Sequence, residues 1–310
     1  MNKLQTNTLS KKLYQFDDYF DYLRKLYESK KFPKVILLTG KRGLGKMTLI
    51  FHFINYLFSK DTYDLKNKLL DTDSKIYLDI TNGISENFIY LKNENKSKVG
   101  IDEIRNLKNI LLKSSLNNKK RFIILDNVEE FNINSSNALL KIIEEPTENN
   151  YFILIDSQQA QLLQTIASRC FNINFYLDKA KRASIIENLI KSYNIEKLIE
   201  YKNSDITPGD FFHYNNLCIE NDINPKFDYI SKINKLLNLY KKSKNKTFIN
   251  ISIFFTEQFF YKLLQEEKNN SFQVSNIKLN IIKSINEFVL YNLNTNSVIH
   301  SIVSRFDYGK

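Results

Sequence analysis

"VILLTGKRGLGKMTL", Val35 to Leu49, is the stretch that decides the fold of this 310-residue chain. Gly40 to Lys46 matches the G-x-x-x-x-G-K pattern of phosphate-binding loops, in which backbone N–H groups turn towards phosphate oxygens and the lysine reaches the outer phosphates. The loop follows a short apolar run and precedes a helix-like segment, which is the context that such a loop requires. We therefore predict nucleotide-binding roles for Gly40, Gly43, Gly45 and Lys46.

The same loop lacks the hydroxyl group that normally holds magnesium. A Ser or Thr usually follows the lysine, but this chain has Met47, whose thioether is a poor ligand for a cation that demands oxygen. Thr48 comes one residue later and points about 100° away around the helix. We place Thr48 in the degenerate nucleotide site but do not expect it to replace the missing ligand. The alternative is that Gly43 and Gly45 only make a tight strand-to-helix turn.

Further apolar runs occur on the carboxyl side of the loop. They are short and alternate with helical patterns, which is typical of a parallel sheet covered by helices. The predicted strands are residues 76–80 (IYLDI), 121–126 (RFIILD), 151–156 (YFILID) and 171–175 (FNINF). This part of the chain is therefore predicted to be an α/β domain.

Two helices of this domain have clear sequence signals. Residues 16–28 place apolar side chains at helical spacing, and Pro33 then breaks the pattern. The segment "NSSNALLKIIEEP" has Asn134 or Ser135 as a predicted cap and Pro146 as a stop. Beyond Leu177 the strand signals end and helical patterns continue to the carboxyl end. We predict three domains: an α/β domain at 1–176, a small helical domain at 177–222 and an all-helical domain at 223–310.

Composition limits the classes of function. The net charge of +11 is compatible with a polyanionic partner, but Lys, Asn and Ile are abundant throughout, as A+T-rich coding DNA would produce. A stand-alone basic DNA-binding protein is kept as an alternative. The apolar runs are far shorter than the roughly 20 residues of a membrane span, and no export signal is evident, so we expect a cytoplasmic protein without membrane contact. Cys170 and Cys218 lack the spacing of metal ligands, so no metal site is expected.

The rest of a nucleotide site is only partly present. Asp126 follows the run "FIIL" and fits the second magnesium-binding role, which an Asp at a strand end normally has. Asn127 stands where a hydrolysing ATPase usually offers a carboxylate to the attacking water. Because an amide accepts a proton very poorly, help from a general base is missing.

A series of motifs in order resembles the AAA+ clamp-loader subunits of the DNA polymerase III holoenzyme. "NALLKIIEEP" (137–146) is followed by "FILI" and "TIASRC" (165–170), and "IDEIRNL" (101–107) precedes them. The similarity covers about residues 16–175. It implies an AAA+ P-loop parallel-sheet domain, a small helical lid and an all-helical C-terminal collar. It also implies a polar sensor role for Ser157, for which a strand-end cap is the alternative.

The resemblance extends to two kinds of subunit. The motor subunits, gamma and tau, bind and hydrolyse ATP; another kind is generally not an active ATPase and supplies an arginine to its neighbour's ATP. Arg169 matches this arginine finger, and the alternative is a surface arginine paired with a carboxylate. Three residues depart from the motor pattern: Met47, Asn127 and Gly209. Gly209 stands at the position of the lid arginine of the motors. These departures favour the non-hydrolysing kind over the alternative of an ATP-hydrolysing motor.

The resemblance also implies partners and cofactors. The expected partners are gamma or tau and delta subunits, and through the assembled complex the sliding clamp and primer–template DNA. No cofactor is expected to be required, and any ATP or ADP is expected to bind weakly. Many relatives have a four-cysteine zinc module after the loop, but residues 51–75 contain no Cys, so zinc is not expected.

Overall fold

A five-stranded parallel sheet forms the centre of the amino-terminal part of the chain. The computed structural model describes residues 9–91, 99–112, 120–224, 227–266 and 271–307. The strands are β1 (Val35–Thr39), β2 (Phe88–Leu91), β3 (Arg121–Asp126), β4 (Asn150–Asp156) and β5 (Phe171–Asn174), arranged in the order β2-β3-β4-β1-β5. Every neighbouring pair is parallel. The sheet confirms the predicted α/β fold with a parallel sheet.

Twelve helices are described in the structure. They are α1 (Asp17–Glu28), α2 (Lys46–Phe58), α3 (Lys75–Thr81), α4 (Ile101–Leu112), α5 (Ile133–Ile143), α6 (Gln164–Ala167), α7 (Lys179–Tyr193), α8 (Pro208–Glu220), α9 (Tyr229–Ser243), α10 (Thr247–Glu266), α11 (Ser271–Leu290) and α12 (Thr295–Asp307). None of the helices in the described ranges is long and apolar enough to cross a membrane.

The strands read as continuous apolar runs because both faces of the sheet are buried. Successive side chains of a strand point to opposite faces. On β1, Ile36 and Leu38 pack in a core with residues of α1 and α2, whereas Val35 and Leu37 pack in a second core with residues of α4 and α5. This two-sided burial is what a parallel sheet covered by helices requires.

One predicted strand is wrong. Residues 76–80 lie in helix α3, and the strand of this region is β2 at Phe88–Leu91. The helix begins because the Ser74 hydroxyl oxygen accepts a hydrogen bond from the Tyr77 backbone N–H. Its burial is one-sided, since Ile80 is buried while Leu78 is exposed. A five-residue apolar run does not distinguish these two structures by itself.

The predicted cap of α5 is also wrong. The capping residue is Asn132, whose side-chain oxygen accepts a hydrogen bond of 2.8 Å from the Ser135 backbone N–H. Asn134 lies inside the first turn. Ser135 is buried, and its hydroxyl donates to the Val99 carbonyl oxygen. The helix therefore begins about two residues earlier than the sequence pattern indicated.

The segment after residue 9 is attached to the first core by a buried histidine. His52 on α2 is completely buried; its Nε2 lies 3.0 Å from the Ser10 carbonyl oxygen and its Nδ1 lies 3.1 Å from the Tyr63 hydroxyl. Lys12 pairs with Leu69 in an antiparallel bridge beside it. Burial lowers the pKa of His52 to about 4, although the bond to Ser10 opposes this change. The ring is thus neutral in the folded protein at neutral pH.

The chain divides into two compact units. The first contains residues 1–195 and 207–210, and the second contains 196–206 and 211–310. Within the second unit, α9 to α12 bury an apolar core that includes Leu236, Phe260, Ile285 and Phe288. The three-domain division, with boundaries after residues 176 and 222, stays a prediction.

Candidate functional site

Three glycines give the loop after β1 its shape. Gly43 and Gly45 have φ values of +77° and +98°, which residues with a Cβ adopt only with strain. A Cβ on Gly45 would lie 2.9 Å from the Phe16 ring, and one on Gly40 would overlap with the Phe175 carbonyl oxygen. The structure thus places all three predicted glycines in one tight turn, with Gly45 as the amino-terminal cap of α2.

The start of α8 lies directly against this loop. The Gly209 N–H donates a hydrogen bond of 2.8 Å to the Gly43 carbonyl oxygen. A Cβ on Gly209 would lie 2.7 Å from the Gly43 Cα, and one on Gly43 would overlap with the Thr207 hydroxyl. Because the contact is between backbones, residue 209 has no room for a side chain in this conformation.

Lys46 is bound within the loop itself. Its ammonium group donates to the carbonyl oxygens of Gly40 at 2.5 Å and Lys41 at 2.9 Å, and only 4% of the residue is exposed. Burial lowers the pKa of Lys46 to about 8, although the nearby carboxylates of Asp126, Glu129 and Asp156 oppose this change. At neutral pH the group stays mostly protonated and is held by carbonyl oxygens.

Met47 and Thr48 follow Lys46 in the first turn of α2. Met47 is partly buried and packs against the apolar core of the first unit, and Thr48 is buried. Within the described ranges, no group of three or more His, Cys, Asp or Glu side chains is placed to hold a metal ion.

Asp126 and Ser157 lie at strand ends beside the loop. Thr39 of β1 pairs with Asp156 of β4, and Asp126 of β3 pairs with Ile155, so these strand ends meet at one edge of the sheet. The Asp126 carboxylate accepts a hydrogen bond of 2.9 Å from the Tyr90 hydroxyl. One of its oxygens is therefore already used by a side chain of the neighbouring strand.

Glu129 is a member of this cluster that sequence reasoning missed. It lies in a short 3-10 turn after β3, and only 7% of it is exposed. Its Oε1 accepts hydrogen bonds from the Ser157 N–H at 3.0 Å and the Gln159 N–H at 3.3 Å, while its Oε2 has no hydrogen-bond partner. Loss of hydration on burial raises the pKa of Glu129. An acid in a turn gives no sequence signal of such burial.

We expect two substitutions of Glu129 to have opposite effects. Glu129→Gln keeps an oxygen for the Ser157 and Gln159 amides and removes a charge that burial disfavours. Because the pKa of Glu129 is raised in the folded state, ionisation of this carboxyl lowers the free energy of unfolding of the wild-type protein as the pH rises through that pKa. Glu129→Gln should therefore be at least as stable as wild type at pH 8, and this relative gain should shrink towards pH 4.5, near the ordinary pKa of a glutamate.

Glu129→Ala is the matched comparison. It leaves two backbone N–H groups without an acceptor, which should lower the free energy of unfolding by about 1–3 kcal/mol. Urea unfolding of the three proteins at pH 5 and pH 8 measures both effects. Equal losses for the Gln and Ala variants would show that hydrogen bonding to the β4 loop is not what Glu129 provides.

Arg169 lies at the opposite edge of the sheet from the loop. It precedes β5, which runs parallel to β1, with Phe171 opposite Ile36 and Asn174 opposite Thr39. A strand rises about 3.3 Å per residue, so the length of β5 alone separates Arg169 from the loop by roughly 13 Å. The structure therefore does not bring Arg169 together with the other predicted site residues.

Arg169 forms the surface ion pair that its alternative interpretation predicts. Its Nε lies 2.9 Å from Glu144 Oε1, its Nη1 donates to the Thr165 carbonyl oxygen at 3.0 Å, and its side chain is 40% exposed. Exposed pairs of this kind contribute about 0–1 kcal/mol to stability. The guanidinium is thus oriented by its neighbours but held only weakly.

The comparisons with known proteins place the chain in a family. A model of the family described as DNA polymerase III, delta subunit, matches residues 17–179, which is more than half of the chain. The chain belongs to this family. Its relatives include the DNA polymerase III subunit delta' of Buchnera aphidicola subsp. Schizaphis graminum, which is 28% identical over 192 residues, or 59% of this chain and 56% of the relative. The resemblance to clamp-loader subunits is confirmed, and delta-prime subunits are among the matching relatives.

Proteins named tau and gamma are also among the similar proteins. The DNA polymerase III subunit tau of Bacillus subtilis is 28% identical over 172 residues, which is 54% of this chain and 29% of that protein. A gamma subunit-related protein of Thermotoga maritima with a solved structure is 16% identical, with a TM-score of 0.48 and coverage of 94% of this chain and 97% of that chain. The matched segments of the curated relatives span about half of their length or less.

Proposed function

We propose that this protein is the delta-prime subunit of a bacterial clamp loader, which hydrolyses little or no ATP itself and supplies Arg169 to the ATP of a neighbouring gamma or tau subunit. The observation that carries the proposal is the position of Arg169. It is half-exposed and at the opposite edge of the sheet from its own loop, so a phosphate that it contacts has to belong to another subunit. A cation at this place would stabilise the charge that develops on the transferred phosphoryl group.

The state of the chain's own loop supports the non-hydrolysing role. The Lys46 ammonium group donates hydrogen bonds to carbonyl oxygens of the loop, and Met47 packs against the apolar core. The backbone of Gly209 contacts that of Gly43. Asn127, next to Asp126, is no general base. These residues fit Mg²⁺-ATP poorly. No cofactor is required in this proposal, and any ATP or ADP binds weakly.

Family membership supports the proposed partners. The subunit assembles with gamma or tau and with delta, and through the complete complex it helps to load the sliding clamp onto primer–template DNA. This work takes place in the cytoplasm. The competing function is that of an ATP-hydrolysing motor, because a DNA polymerase III subunit tau is also among the similar proteins.

Purified protein tests the competing function directly. We expect Mg²⁺-dependent ATP turnover at least about 10²-fold below that of a gamma or tau subunit, since a ligand and a general base each contribute factors of that order. Restoring the hydroxyl alone in Met47→Thr should not raise turnover to a motor-like rate, because Asn127 and the engaged Lys46 remain.

A Lys46→Ala variant controls for contaminating ATPases. Activity that survives this substitution does not come from the loop. Motor-like, Mg²⁺-dependent turnover by the wild type that disappears in Lys46→Ala would overturn the proposal and establish the motor function.

A further inference from the structure

Helix α9, in the second unit, begins a segment with an unusual distribution of charge. Between Tyr229 and Thr256 the chain has six lysines and no Asp or Glu. The chain as a whole has 45 basic and 34 acidic residues. A segment of this average composition would therefore contain acidic residues as well as lysines. Positive charge is thus concentrated on α9 and on the turn that follows it.

A groove lies along one face of α9. Its volume is about 360 Å³, and its lining side chains recur at helical spacing. They are Ser231, Asn234, Lys235, Asn238, Leu239 and Lys242. Five of these six side chains are able to donate hydrogen bonds. Such a lining suits a ligand that is rich in acceptor oxygens.

The polar groups of the groove are arranged with their donors available. The Asn238 Nδ2 donates to the Asn234 Oδ1 at 3.1 Å, which uses the acceptor of Asn234 and leaves its two N–H groups. The Lys235 ammonium donates to the Asp222 carbonyl oxygen at 2.7 Å, which fixes its position and leaves two further N–H groups. Three of the lining side chains, Asn234, Lys235 and Asn238, are therefore held by hydrogen bonds before a ligand arrives.

One carboxylate marks the amino end of the groove. Asp228 caps α9 and accepts hydrogen bonds from the Ser231 N–H at 2.9 Å and the Ser231 hydroxyl at 2.5 Å. These bonds lower the pKa of Asp228, so it is charged at neutral pH. An anion is consequently favoured along the part from Asn234 to Lys242, away from this end.

We propose that the α9 groove binds the phosphate backbone of a nucleic acid. Lys235 and Lys242 are seven residues apart, or about 10.5 Å along the helix axis. One DNA strand advances about 3.4 Å per nucleotide, so the two ammonium groups span about three nucleotides. Ammonium, amide and hydroxyl groups are the usual partners of phosphate oxygens and carry no sequence information.

The lining favours an extended polyanion over other anionic partners. A single phosphate group would need the cations to converge, but these are spread along the helix. The centre of a protein–protein interface is usually apolar and aromatic, whereas Leu239 is the one apolar side chain among the six. None of the six described residues that line the groove is aromatic, so we expect contact with phosphates without stacking on bases and without preference for sequence.

The test uses the complete chain and a fluorescent 30-base-pair DNA duplex. Anisotropy titrations over a range of salt concentrations give the affinity and its salt dependence. Lys235→Gln combined with Lys242→Gln should weaken binding by about tenfold or more in low salt and reduce the slope of log K against log salt by about 2, since each lost phosphate contact removes about 0.9.

Two further variants separate a binding role from loss of charge or loss of folding. Lys191→Gln with Lys283→Gln removes the same charge, but these lysines are paired with Glu187 and Glu287; it should weaken binding by less than about twofold. Asn234→Asp with Asn238→Asp keeps both groove lysines and adds two negative charges, and it should weaken binding at least as much as the lysine pair.

Three outcomes would overturn the assignment. The first is that the wild type does not bind DNA in low salt, and the second is that the groove and control variants lose DNA affinity equally. The third is that poly-glutamate competes as effectively as DNA of equal charge. The last would identify an acidic protein as the partner. None of these results bears on Arg169, so this proposal and the arginine-finger proposal fail separately.

Discussion

Arg169→Ala is expected to lower the DNA-stimulated ATPase activity of the reconstituted clamp loader by about 10³-fold or more, the range known for arginine fingers. The reason is that the guanidinium would stabilise charge on a phosphoryl group held by the neighbouring subunit. Folding and assembly should remain near normal, because the ion pair that Arg169 forms with Glu144 is exposed. The measurement is steady-state ATP turnover with primed DNA, alongside gel filtration of the assembled complex.

Two companion variants separate catalysis from structure. Glu144→Gln breaks the ion pair but keeps the arginine, and it should leave most of the ATPase activity. Arg169→Lys keeps the charge without the planar fork of donors and should recover only part of it. Unchanged activity in Arg169→Ala would remove the finger assignment, and equal losses in Arg169→Ala and Glu144→Gln would assign Arg169 a structural role.

The second large effect is expected on stability in acid. His52 has a pKa of about 4 in the folded protein, against the ordinary value of 6.5. A depressed folded-state pKa gives stability that is present above pH 6.5 and is lost as the pH falls towards 4. The difference corresponds to about 3 kcal/mol of unfolding free energy. Protonation would place a charge among buried groups and would remove the acceptor that Nδ1 offers to the Tyr63 hydroxyl.

Urea unfolding between pH 7 and pH 4 measures this loss. In His52→Gln the pH dependence over this range should become smaller by about 3 kcal/mol, whatever the variant's stability at pH 7. His300→Gln, which replaces an exposed histidine on α12, is the control and should keep the wild-type slope. A His52→Gln variant with an unchanged slope would show that another group is responsible for instability in acid.

Most of the sheet could be predicted from the sequence because burial on both faces produces apolar runs with clear ends. β1, β3, β4 and β5 were found in this way. The exception was the run at 76–80, which is as short and apolar as a strand. Its structure is decided by the cap at Ser74 and by one-sided packing of Ile80, and neither effect is encoded in hydrophobicity alone.

Only the residues of the loop motif and of the strand ends could be assigned to the candidate site from the sequence. Gly40, Gly43, Gly45 and Lys46 lie together because they are neighbours in one loop, and strand ends bring Asp126 and Ser157 beside them. The contact of Gly209 with Gly43 joins segments that are far apart in the chain. The burial of Glu129 likewise depends on the loop after β4, and local sequence carries no signal of such an approach.

The backbone contact between Gly43 and Gly209 also bears on how such a site changes during evolution. Residue 209 accepts no side chain while the loop keeps this conformation, so the lid arginine that the clamp-loader resemblance places at this position cannot return by one substitution. The two segments would first have to separate, which would expose the loop. The contact between Gly43 and Gly209 is therefore a steric barrier that a substitution at residue 209 alone does not remove.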